Sequence, residues 1–120
     1  MRAINRALLV APLCCLVSYA QQANEPPAPF KKQVEVLKAY YQHVKEYSLQ
    51  YAPTPASSGD IADAAISASE DLLNAYISAV LPQVGSIDKA EGIADQVRAK
   101  ARGFAVRTAL EAKYPIPKKD

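Results

Sequence analysis

No tryptophan occurs in the chain, there is one histidine (His43), and the only two cysteines stand side by side at Cys14 and Cys15. A zinc or other soft-metal site therefore has too few ligands. The same shortage removes a cysteine nucleophile, and no serine has a histidine near it in sequence. Gly59, Gly85, Gly92 and Gly103 are isolated, so no glycine-rich phosphate loop can form. Asp60 with Asp63, and Glu70 with Asp71, are better explained as an acidic helix start and an exposed acidic stripe than as catalytic pairs. These shortages point away from an enzyme: no catalytic residue, no metal and no cofactor is assigned.

Long apolar runs are also missing. The longest, Ala7 to Val17, contains Pro12 and falls short of the roughly 20 residues a spanning helix needs. It does fit the apolar part of an export signal. Arg2 and Arg6 precede it, and "SYA" at 18–20 places small residues before Gln21, so cleavage is expected after Ala20. The expected location is secreted and extracellular, with residues 1–20 removed. Both cysteines leave with that segment, so the remaining 100 residues carry no disulfide in an oxidising compartment. A small domain without staples must hold itself by helix packing, by self-association or against a partner surface. Loss of Arg2 and Arg6 also leaves twelve basic and twelve acidic residues. A net charge of zero gives no reason to expect nucleic acid as a partner.

What remains reads as helix. "QQANEPPAP" (21–29) reads as an extended proline-rich arm. Pro53 and Pro55, then Pro82, then Pro115 and Pro117 divide the rest. Between the breaks, apolar spacing predicts three amphipathic helices at about 30–51, 59–81 and 86–113, in an all-α helical domain over 30–114 with a tail at 115–120. Ser57, Ser58 or Asp60 is the expected cap of the second and Ser86 that of the third. The three form either a loose antiparallel bundle or a set lying on a lipid surface.

The faces carry the functional signal. "AYYQHVKEYSLQY" (39–51) packs four tyrosines into thirteen residues. At 100° per residue, Phe30, Val34, Leu37, Tyr41, Val44 and Tyr51 form an apolar face, with Tyr40 and Tyr47 on one shoulder. Lys31, Lys38 and Lys45 form the other shoulder, and His43 points to the polar side, where it reads as solvated. Lysine stems and tyrosine rings suit a boundary between water and lipid. In the third helix Ile93, Val97 and Phe104 share an alanine-rich face that Lys100 and Arg107 flank. That face buries little area and would hold a monomer weakly. The middle helix has a broad apolar arc and a narrow acidic one, Asp60, Asp63, Glu70 and Asp71, which could face basic neighbours. Gly92 and Gly103 share one side of the third helix, either as tolerated weakness or as points where it bends.

The arm "QQANEPPAPF", the paired aromatics of "VLKAYYQHVKEY" and proline-separated amphipathic helices without a disulfide core together resemble the small exchangeable apolipoproteins of the A-II and C classes, chiefly over residues 21–50. The resemblance implies reversible binding to phospholipid or lipoprotein surfaces and a part in lipid transport without catalysis. It implies insertion of Phe30, Val34, Leu37, Tyr41 and Val44. Tyr51, Ile93, Val97 and Phe104 extend the expected lipid-facing set, with Lys31, Lys38, Lys45, Lys100 and Arg107 as interfacial cations. The competing expectation is a compact secreted bundle that acts as an interaction protein or carries one small apolar ligand, with self-association open.

Overall fold

The computed structural model describes residues 28–117, so the expected signal peptide, most of the arm and the last three residues lie outside the described part. The chain divides into two compact units at Lys31 and Lys32; of the first, only the opening turn of a helix is described. The described residues are all-helical: α1 (Ala28–Tyr51), α2 (Ser58–Ala68), α3 (Glu70–Val84) and α4 (Ile87–Lys113).

Local chemistry explains most of the boundaries. Helix α1 starts at Ala28, slightly earlier than expected, because Pro29 needs no hydrogen-bond partner in a first turn. Ser57 caps α2 by accepting from the Asp60 amide at 3.1 Å, and Ser86 caps α4 by accepting from the Lys89 amide at 3.4 Å. Asp60 and Asp88 add negative charge where each helix dipole is positive. At the end of α3, Gly85 takes φ +74°, and its amide donates to the Leu81 carbonyl at 2.9 Å. Only glycine adopts this left-handed turn without a steric cost.

Two expectations about the middle helix are corrected. Pro82 does not stop it; α3 runs on to Val84. The proline ring is exposed within the final turn, so a single missing amide there is tolerated. The expected single helix over 59–81 is also two helices that meet at Ser69. Ser69 takes φ −101° and ψ 4°, and its buried hydroxyl donates back to the Ala65 carbonyl at 2.7 Å. Back-bonding of this kind bends helices. Glu70 and Asp71 are the acidic first turn of α3.

Cross-contacts set the arrangement of residues 32–117. Glu70 of α3 pairs with Arg98 of α4, and Asp63 of α2 pairs with Arg102 of α4 at 2.7 Å. His43 of α1 meets Ser69 at 2.7 Å. Beyond the C-terminal end of α1, the Thr54 carbonyl accepts from Lys113 Nζ near the end of α4 at 2.7 Å. The chain therefore runs up α1, down α2 and α3, and up α4. The first and last helices are parallel, and the bent middle pair is antiparallel to both.

The core joins Tyr40 and Val44 of α1, Ala62 and Ala65 of α2, Leu73 of α3 and Ala94, Val97, Ala101 and Ala105 of α4. Alanines repeat along the buried side of α4 at 90, 94, 101, 105 and 109. Small side chains let helix axes approach closely, so large residues from α1 and α3 fill the space they leave. The alanine-rich face of α4 shares one core cluster with Tyr40, Val44 and Leu73. The acidic arc of the middle helices meets a basic neighbour, with Glu70 paired to Arg98 and Asp63 to Arg102 on α4.

Candidate functional site

Helix α1 presents two different flanks. Tyr40, Val44 and Ser48 are fully buried, and Tyr47 is half-buried beside them. The buried direction is thus rotated toward the tyrosine shoulder, which packs on protein. Val34 is 39 % exposed, and Phe30 and Tyr51 are exposed too. Leu37 and Tyr41 lie between, half-buried against the core.

That rotation leaves an apolar groove of about 620 Å³ along the lysine flank of α1. Val34, Leu37, Ala39 and Tyr41 line it with Phe104 of α4, together with the polar side chains of Lys38, Gln42 and Lys45. Tyr41 and Phe104 hold each other edge to face, ring centres 5.8 Å apart, and Tyr40 meets Tyr41 in the same way at 5.7 Å. A rigid aromatic pair therefore forms one wall. Burial, and then the nearby Tyr76, push the Tyr41 phenol above its ordinary range.

Charge is distributed unevenly around α4. Arg98 is held by Glu70 and by Asp95 at 2.6 Å, and Arg102 by Asp63. These contacts raise both guanidinium pKa values, and the Arg102 hydrogen bond holds the Asp63 carboxyl below its usual range. Lys38 and Lys45 form no ion pair among the described residues. Lys100 and Arg107, one helical turn before and after Phe104, form none either, and all four are exposed. Paired cations therefore lie toward the middle helices, and unpaired cations surround the groove and Phe104.

The expected lipid-facing residues thus fall into separate places. Val34, Leu37, Tyr41 and Phe104 come together in the groove with Lys38 and Lys45. Val44 and Val97 lie in the core, and Ile93 is half-buried. Tyr51 lies elsewhere, stacked on Tyr47 at 4.4 Å over a small pocket of about 180 Å³ that Asp60 and Ile61 also line. Phe30 and Lys31 belong to the first unit and are exposed.

Sequence reasoning missed the polar cluster where α2 meets α3. Ser69 is 1 % exposed, and its hydroxyl proton is committed to the Ala65 carbonyl. Its partner nitrogen, His43 Nδ1, must therefore be the donor, a tautomer assigned from the hydrogen-bond network. His43 is half-buried and not fully solvated. The arrangement is not a nucleophilic dyad, because the serine is sealed in and spends its proton on the backbone. The signal available in sequence was "SASED" at 67–71: a serine ahead of two acids is a helix start inside a longer apolar pattern.

Among the described residues no helix is long and apolar enough to cross a membrane, and no group of three metal-ligating side chains is assembled. No family model, curated protein or solved structure matches this chain.

Proposed function

We propose that this chain is a secreted, non-enzymatic lipid-binding protein with a part in lipid transport, meeting phospholipid or lipoprotein surfaces through the lysine flank of α1. The observation that carries this reading is the groove: an exposed apolar strip with a rigid aromatic wall, edged by Lys38 and Lys45 without ion partners among the described residues. An amphipathic flank with lysines at its edge favours an anionic surface twice over, through buried apolar area and through charge. The positively charged start of the chain and its short apolar run support export. The resemblance to small exchangeable apolipoproteins supports the same class.

Contact through this flank leaves the core closed. Val44 and Val97 reach lipid only if the helices separate, as an exchangeable apolipoprotein on a particle would require. Carriage of one small apolar ligand is the second reading, favoured by the volume of the groove.

Flotation of residues 21–120 with phosphatidylglycerol vesicles tests the proposal. The protein should float with the vesicles, less so at high salt. Val34→Glu combined with Lys38→Glu should leave it at the bottom of the gradient while its circular dichroism is unchanged. Equal flotation of wild type and variant would refute the assignment to this flank.

A further inference from the structure

The groove has a length and a polarity as well as a volume. Val34 and Lys45 are eleven residues apart on one helix, which sets them about 16 Å apart along the axis. An extended hydrocarbon of roughly a dozen carbons spans that distance. Lys45 lies at the end of the strip nearer Phe104, Lys38 lies midway, and Val34 closes the far end without a polar group. One cation thus stands at an end of the strip, a second stands beside its middle, and Val34 forms the other end.

We infer that the groove binds a single-chain amphiphile with an anionic head, its head held by Lys45 and its tail running the length of the strip past Tyr41 and Leu37 to Val34, with Lys38 as a second cation beside the chain. This inference rests on the lipid-binding reading and names the ligand class of the same groove. Three features favour one anionic chain. The cations here lack partners among the described residues, whereas Arg98 and Arg102 on the far flank of α4 are already satisfied. No carboxylate is among the lining residues, and the exposed Glu46 beside them already accepts from Gln42 Nε2 at 2.8 Å, so the charge on the lining itself is positive. The volume lies in the range of small-molecule sites, and the strip is as wide as one helix flank. A fatty acid and the lysophosphatidate of a lipid surface share this chemistry.

Titration calorimetry below the critical micelle concentration tests it, using straight-chain carboxylates of eight to sixteen carbons, dodecyltrimethylammonium and lysophosphatidate. Dodecanoate should bind one to one, at least tenfold more tightly than dodecyltrimethylammonium. Affinity should rise about two- to fourfold per added methylene up to roughly twelve carbons and then level off as the groove is filled. Lys38→Glu with Lys45→Glu should remove the preference for the anion while leaving the fold intact, since both lysines are exposed. Lysophosphatidate tighter than dodecanoate assigns the head to a lysolipid, and the reverse order assigns it to a free fatty acid. Equal affinity for the two dodecyl head groups, an unaltered preference in the lysine variant, or a gain that continues past sixteen carbons overturns the inference. One-to-one binding without vesicle flotation would instead sink the lipid-surface reading and leave the monomeric ligand standing.

Discussion

Tyr40 offers a prediction whose sign is unusual for the core of a small protein. Its side chain is fully buried, and among the described residues its hydroxyl finds no hydrogen-bond partner. A buried hydroxyl in that position costs about 1–3 kcal/mol of desolvation. Tyr40→Phe removes the hydroxyl and keeps the ring, including its edge contact with Tyr41 at 5.7 Å. The substitution should therefore stabilise the fold by about 1 kcal/mol, a rise of about 4–8 °C in melting temperature for a domain of this size. Tyr40→Ala should do the opposite, costing about 3–5 kcal/mol through the lost ring and the cavity left behind. Urea unfolding followed by circular dichroism measures both.

The same residue sets an alkaline dependence. Burial, followed by the negative charge of Glu70, pushes the Tyr40 phenol up to about 12, against the partly opposing charge of Arg98. The native state holds that proton more tightly than the unfolded chain does. The stability it supplies is complete below pH of about 10 and is lost as pH rises toward about 12. The advantage of Tyr40→Phe should widen across that window. A Tyr40→Phe protein destabilised by 1 kcal/mol or more, or a constant difference up to pH 12, would refute the placement of this hydroxyl.

Other substitutions probe the bend and the long helix. Ser69→Ala should cost about 1–2 kcal/mol, and a double-mutant cycle with His43→Ala should show coupling, because the two side chains share one hydrogen bond. Additive effects in that cycle would mean the pair is not formed. Gly92→Ala and Gly103→Ala should each stabilise by about 1 kcal/mol in thermal melts, since an added methyl group meets nothing within 4 Å at either site. Gly85→Ala should destabilise by about 1 kcal/mol because of its positive φ. If the two α4 alanines lower vesicle binding while raising stability, the helix bends in use; if binding is unchanged, the glycines are only tolerated weakness.

The helices and their caps were legible because serine, acid and glycine signals coincide with the ends of apolar periods. Ser57, Ser86 and the proline-bounded loop after Tyr51 are examples. The bend at Ser69 was not, because apolar spacing continues through it and a bend changes direction without changing period. The exposed direction of α1 was only partly legible. A helical wheel centres the face on all apolar residues equally, whereas the alanine seat of α4 selects Tyr40 and Val44 and leaves Val34 outside. The distinction matters for experiment. Val44→Glu would be expected to unfold the protein by placing a charge in its core, and loss of lipid binding in such a variant would say nothing about the surface. Val34→Glu changes the exposed flank alone.

The absence of tryptophan provides the most direct test of the account. Val34→Trp places a single emitter in the groove, and Gln83→Trp places one at the exposed end of α3. On addition of phosphatidylglycerol vesicles, the emission of Val34→Trp should shift to the blue and that of Gln83→Trp should stay at its aqueous maximum. No shift at position 34, or equal shifts at both positions, would contradict lipid binding through the lysine flank of α1.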